Sequence, residues 1–196
     1  MEKKQIGVLA VQGAFAEHIA MVRRLGAEAF EIRQLPDLER PMDGLILPGG
    51  ESTVQGKLLK ELSMFDTIKS QIQNGMPVLA TCAGAILLAE TIDGQMKGQP
   101  EQYFGTIPMC IKRNAYGRQL GSFHTEASVV GIGTVPMTFI RAPYIASVGN
   151  GVEVLAVVEE RIVGVKYKNQ MAFSFHPELD PDMRIHKTFL SMISNV

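Results

Sequence analysis

Three short apolar runs, each ending abruptly in a turn, constrain the fold of this chain more than any other feature. Gln5 to Val11, Asp43 to Leu47 and Val78 to Thr81 are continuous rather than alternating. That is the pattern of strands buried on both faces. The first ends at Gln12-Gly13, the second at Pro48-Gly49-Gly50 and the third at Cys82. Between them lie stripes at helical spacing: Phe15, Ile19, Val22 and Leu25 before Gly26, then Leu58, Leu59 and Leu62, then Phe65, Ile68 and Ile72 before Gly75. Glu28 to Arg33 reads as a further strand, Leu35-Pro36 opens a loop, and Glu51-Ser52-Thr53 offers helix-capping side chains. Strands alternating with helices predict an α/β fold, a doubly wound and mostly parallel sheet flanked by helices. Ligands of such sheets bind at the carboxyl ends of the strands, where the three turns fall together.

From Thr91 the pattern changes. Asp93 to Gln102 is a polar loop, and strand-like segments follow at Phe104–Ile111, Ser122–Val130, Met137–Ile140, Val152–Val158, Ile162–Tyr167 and Met171–Phe175. They read as antiparallel additions to the same sheet or as a small second sheet. A last helix is expected from Asp180-Pro181, burying Ile185, Phe189, Met192 and Ile193. No repeat, linker or low-complexity tract divides the 196 residues, so 1–196 reads as a single domain. A formal net charge of −1 argues against nucleic acid or a membrane surface held by bulk charge. Two cysteines make neither a disulfide framework nor a paired metal motif, so a reducing, cytoplasmic setting is expected. Lys3-Lys4 and the run after them resemble a leader peptide, but Gln12-Gly13 breaks the run too early.

Three segments carry chemistry. In Pro77 to Glu90 a buried strand runs into Cys82, then into Ala83, Gly84 and a helical apolar run. A thiol on such an elbow is lifted clear of the sheet and sits at a helix N-terminus that favours thiolate, although an inert buried cysteine would read the same from this stretch alone. In Phe173 to Glu178, a strand with period two would put His176 and Glu178 on one side, with Pro177 stopping the ladder. A histidine held by a carboxylate is the base a cysteine nucleophile needs. At Pro48-Gly49-Gly50-Glu51, adjacent glycines before a helix could bind a phosphate, stabilise an oxyanion or simply turn the chain. Cys110, in mid-strand, reads as a buried filler.

LPGGEST, TCAG and SFHPE, in this order, resemble the class I (triad) glutamine amidotransferases. AVQGAFAEH, RNAYGRQ (Arg113 to Gln119), FIRAP (Phe139 to Pro143) and SFHPEL narrow the resemblance to the glutaminase subunits of pyridoxal 5′-phosphate synthase, from about Gly7 to the last helix. The resemblance implies that Cys82 attacks the glutamine carboxamide, that His176 shuttles the proton and that Glu178 orients it. It also implies that Gly49, Gly50 and the Ala83 N–H serve the oxyanion, and that Gly49, Gly50, Glu51, Arg113, Ile140 and Arg141 line the glutamine pocket. Gln12, at the end of the first strand, falls near the site. The implied activity is hydrolysis of L-glutamine through a cysteinyl thioester, with no metal or organic cofactor. The implied partner is the synthase's lyase subunit, which builds pyridoxal phosphate from ribose 5-phosphate and glyceraldehyde 3-phosphate. The rivals are a glutaminase feeding another synthase, such as one making imidazole glycerol phosphate, and a binding or chaperone-like protein with a redox-sensitive Cys82.

Overall fold

The computed structural model describes residues 3–94, 103–113 and 122–193. The apolar runs form the centre of a sheet that counts twelve strands among these residues. β1 (Gln5–Leu9), β2 (Glu28–Ile32), β3 (Gly44–Leu47), β4 (Val78–Thr81) and β12 (Gln170–Phe173) lie parallel in the order β2-β1-β3-β4-β12. Their side chains alternate between two cores. Leu9, Leu45, Leu47, Val78 and Ala80 pack with Leu59 of α2 (Ser52–Glu61), Phe65 and Ile68 of α3 (Phe65–Gln73), and Leu87 of α4 (Ala83–Leu88). Ile6, Val8, Ile46 and Leu79 pack on the other face with Ile19 and Val22 of α1 (Phe15–Arg24) and Ile185 and Phe189 of α5 (Arg184–Met192). Helices on both faces explain why these strands lack polar alternation. Truncating a fully buried leucine here, such as Leu47 or Leu79, is expected to cost about 2–5 kcal/mol.

The chain leaves β1 toward β2 and then returns past β1 to β3, so the loops after β1 and β3 flank the point where strand order reverses. The two loops touch: the Ala14 N–H donates to the Gly49 carbonyl at 3.1 Å. Gly13 has φ +105°, and a Cβ there would lie 1.9 Å from the Gly49 oxygen. No side chain fits at that contact.

The C-terminal half settles as one sheet, not two. β11 (Arg161–Tyr167) pairs antiparallel with β12, followed by β10 (Glu153–Val158), β7 (Ser122–Val129) and β8 (Gly133–Ile140). β9 (Tyr144–Val148) joins β11 to β6 (Ile107–Lys112), which pairs parallel with β5 (Ala89–Ile92). Some expectations are corrected. β12 is parallel to β4 rather than an antiparallel addition, because the hairpin from β11 reverses the chain beside β4. β5 and β9 are strands that were not expected from the sequence. Leu35–Glu39 is a short 3-10 helix, and α5 starts at Arg184, after the Asp182 carboxylate accepts the Arg184 N–H at 2.9 Å. α2 has no side-chain cap; Glu51 precedes it with its N–H on the Gln12 side-chain oxygen. Most of the polar loop after Asp93 and of RNAYGRQ lies outside the described residues. Among those described, no helix is long and apolar enough to cross a membrane.

Candidate active site

Cys82 follows β4 directly, with φ 47° and ψ −104°. A non-glycine residue in that region costs about 1–3 kcal/mol and persists only where its surroundings enforce it. Here they do. The Cys82 N–H donates to the Phe173 carbonyl at 2.8 Å, and the Cys82 carbonyl accepts from Ile86 in the first turn of α4. The helix lies so close to the sheet that a Cβ on Gly84 would come 2.0 Å from the Leu47 oxygen. The thiol is thus held at the strand-to-helix elbow that the sequence predicts, with the first N–H groups of α4 beside it.

His176 arrives from the neighbouring strand. Parallel pairing sets Phe173 opposite Thr81, so the chain leaves β12 next to the elbow. The His176 N–H donates to the Thr138 carbonyl at 2.8 Å, and Pro177–Leu179 then forms one 3-10 turn. Turn geometry, not strand alternation, brings Glu178 back onto the ring: Nδ1 and Oε1 are 2.7 Å apart. Pro177 suits the first position of that turn. The Cε1 edge of the ring rests on Gly49, where a Cβ would lie 2.3 Å from Cε1.

With Nδ1 committed to Glu178, Nε2 is left for Cys82, to whose side chain the ring is hydrogen-bonded. Burial alone would lower the His176 pKa. The hydrogen bonds to Cys82 and Glu178 and their negative charges outweigh it, and the pKa is pushed up to about 10. Glu178 is desolvated, which favours its acid form, yet its pKa is held below the ordinary carboxylate value by the nearby His18 and by the hydrogen bond and charge of His176. The arrangement therefore favours an imidazolium at His176 beside an ionised Glu178.

Cys82 and His176 face a cleft of about 710 Å³, and Glu178 lies buried behind His176. Gln12, Gly50, Glu51, Ile86, Asp93, Lys112, Arg113, Ile140 and Arg141 line it with Cys82 and His176. Both signs of charge are present: Arg141 sits 3.2 Å from Glu51, and Lys112 sits 3.4 Å from Asp93. Arg141 has φ 43°, a second strained residue at the site, and Arg113 donates to the Tyr103 hydroxyl at 3.3 Å. Of the residues named from the sequence, Gly49 and Ala83 stand behind the cleft wall rather than in its lining. The Gly49 N–H is engaged with Thr81 Oγ1 at 3.1 Å. Its carbonyl is anchored on Ala14, and a trans peptide then turns the Gly50 N–H the opposite way. Gly50 and Ala83 are left as the candidate oxyanion donors. Among the described residues, no cluster of three or more His, Cys, Asp or Glu side chains is placed to hold a metal ion.

Four residues around the site were not singled out from the sequence. Gln55 is fully buried and donates to the Gln12 and Pro48 carbonyls, bracing the glycine turn. His18, Thr81 and His186 are also fully buried and lie behind Glu178. His18 had a signal: three residues after Phe15 and four before Val22, it falls on the buried face of α1, a poor place for an imidazole without partners.

A cysteine elbow with histidine and glutamate from the adjacent parallel strand, at the carboxyl edge of a doubly wound sheet, is the architecture of the class I glutamine amidotransferases. A crystal structure of a glutamine amidotransferase shares it at TM-score 0.88 and 41% identity, covering 96% of this chain and 98% of that one. A sequence model of the SNO glutamine amidotransferase family matches residues 8–195, and the chain belongs to that family. It is 59% identical over 191 residues to the pyridoxal 5′-phosphate synthase subunit PdxT of Desulfitobacterium hafniense (strain Y51), covering 97% of this chain and 94% of that protein. It is 52% identical to the subunit of the same name from Streptococcus pneumoniae serotype 2 (strain D39 / NCTC 7466), covering 96% and 97%.

Proposed function

We propose that the chain hydrolyses L-glutamine to L-glutamate and ammonia at Cys82, and delivers the ammonia to the lyase subunit of a pyridoxal 5′-phosphate synthase. The observation that carries this reading is the meeting of Cys82, His176 and Glu178 at one elbow, in a cleft lined by both signs of charge. A free α-amino acid is a zwitterion. Arg113 and Arg141 suit its carboxylate and Glu51 its ammonium, while Ile140 borders the aliphatic stem.

The Cys82 sulfur attacks the carboxamide carbon, and the carbonyl oxygen takes up the negative charge. The Gly50 and Ala83 N–H groups receive that charge in this reading. His176 passes a proton to the leaving nitrogen, ammonia departs and a γ-glutamyl thioester remains. Water, deprotonated by His176, then attacks the thioester, and glutamate leaves as the thiol is restored. Glu178 keeps the ring oriented throughout. Free thiols at Cys82 and Cys110 suit a reducing cytoplasm.

The glycine turn also supports control by the partner. An oxyanion donor typically contributes about 10²–10³ in rate, and a glycine peptide can rotate with no side chain to clash, here by giving up the Ala14 bond to the Gly49 carbonyl. The free chain is then a slow glutaminase, and the lyase subunit stabilises the active turn. The test is co-purification with candidate synthase subunits, followed by assays of ammonia release and glutamine-dependent pyridoxal phosphate formation. Cys82→Ala should abolish both in a folded protein, and Cys110→Ala should leave both in place. Substantial ammonia release by folded Cys82→Ala would overturn the assignment. Equal kcat with and without the partner would remove the control by the turn.

A further inference from the structure

Behind the triad lies a chain of buried polar groups that the chemistry above does not use. Glu178 turns Oε1 to His176, while its other oxygen, Oε2, is buried without a hydrogen bond and lies 3.4 Å from His18 Nε2. The same His18 nitrogen is 3.1 Å from Thr81 Oγ1, the oxygen that receives the Gly49 N–H. On its far side, His18 Nδ1 is 2.9 Å from His186 Nε2 on α5. His18 thus touches the carboxylate of the triad, the support of the glycine turn and the last helix at once.

The proton positions follow from what each group can do. Glu178 is an anion and only accepts, so a bare lone pair on His18 Nε2 would face it unfavourably. Nε2 therefore carries the hydrogen and donates it to Thr81 Oγ1, with Glu178 Oε2 beside it at 3.4 Å. Nδ1 is then an acceptor, and His186 Nε2–H donates to it. This choice leaves His186 Nδ1, which has no partner, as a bare acceptor rather than a stranded donor, the less costly outcome. The His186 N–H then meets His18, and the His18 N–H meets Thr81 with Glu178 alongside. The groups facing His18 are Glu17 on its own helix, Glu178 and His176 from the turn after β12, and His186 from α5. Complete burial lowers the His18 pKa against the opposing pull of Glu178, so the ring is neutral and acts as a directed dipole.

We infer that His18 is a positioning residue for the reaction: its Nε2–H bonds the hydroxyl of Thr81 and lies against the second oxygen of Glu178, tying the orientation of His176 to the glycine turn. This rests on the assignment of Cys82, His176 and Glu178 as the triad. Phenylalanine puts an apolar aromatic ring in place of the imidazole and removes the N–H, whereas the glutamine side chain places an amide N–H near Nε2.

The measurements are kcat and KM for ammonia release by the complex with its synthase partner, and the pH dependence of Cys82 alkylation by iodoacetamide. His18→Phe should lower kcat about 10- to 100-fold with KM unchanged, less than the about 10²–10⁴ that general acid–base catalysis contributes. It should also move the alkylation midpoint of Cys82 to higher pH, which loss of packing alone would not do. His18→Gln should recover most of both. In a Glu178→Gln background the loss from His18→Phe should nearly vanish. An equal loss in both backgrounds, or an unmoved alkylation midpoint, would overturn the inference. If His18→Phe does not fold, His186→Phe tests the chain one link back: a fall in kcat that disappears beside Glu178→Gln supports it, and unchanged kcat refutes it. Failure of the triad itself reads differently, as ammonia release surviving Cys82→Ala.

Discussion

Replacing Gly49 by alanine loads the tightest contact in the site. The backbone there does not have positive φ, so alanine can adopt it and the effect is purely steric. The added Cβ would lie 2.3 Å from His176 Cε1 and 2.9 Å from Nδ1, where ordinary contact begins at 3.4 Å. The ring must retreat by about 1 Å, and such a displacement of a catalytic group can cost about 10²-fold in rate. It has no free direction in which to go: Nδ1 is bound to Glu178 at 2.7 Å and its backbone N–H to Thr138 at 2.8 Å. Overpacking should also lower stability by about 1–3 kcal/mol. Gly26→Ala is the control. Nothing lies within 4 Å of its new Cβ, but its φ of +85° imposes a backbone cost of about 1–2 kcal/mol. The assay is ammonia release by the partner-bound enzyme, with urea midpoints for both variants. Gly49→Ala should lose about 10²-fold in kcat, and Gly26→Ala should lose stability alone. If folded Gly49→Ala turns over within about threefold of the parent, a change of about 0.6 kcal/mol in barrier, the packing of His176 on the turn has been misjudged.

His176→Asn should be severe, since it removes the proton carrier, while Glu178→Gln should be milder because an amide still orients the ring in part; equal losses in kcat would refute the division of roles. Acid should weaken the fold through the histidines behind the triad. Burial, the neighbouring His18 and, in opposition, Glu178 set the pKa of His186 down from 6.5 to about 3. The unfolded chain therefore takes up a proton that the folded chain refuses, and stability falls as pH drops from 6.5 toward 3. Urea midpoints between about pH 7.5 and about pH 5 should decline, and His186→Phe should flatten that slope; an unchanged slope would show that other groups carry it.

The parallel α/β sheet was legible in the sequence because a strand covered on both faces shows no apolar–polar alternation, and Gln5–Leu9, Gly44–Leu47 and Val78–Thr81, polar only at a terminal residue, show it directly. The elbow at Cys82 was legible for a local reason, since a strand, a small-residue turn and a helix are adjacent in the chain. His176 and Glu178 could be paired from their spacing, though the contact is made by a 3-10 turn and not by an extended strand. What tertiary structure decided is everything that depends on residues far apart in the chain. The direction of β12 beside β4 delivers His176 to Cys82, and that follows from the hairpin with β11 rather than from the composition of Gln170–Phe173. The engagement of the Gly49 N–H by Thr81 and of its carbonyl by Ala14 depends on the reversal of strand order between β1 and β3. His18 and His186 stand 168 positions apart, and only the packing of α1 and α5 on one face of the sheet turns two isolated histidines into a buried pair behind Glu178. Local pattern is written in hydrophobic period and turn chemistry, whereas a hydrogen bond between distant side chains exists only once the sheet has set their distance.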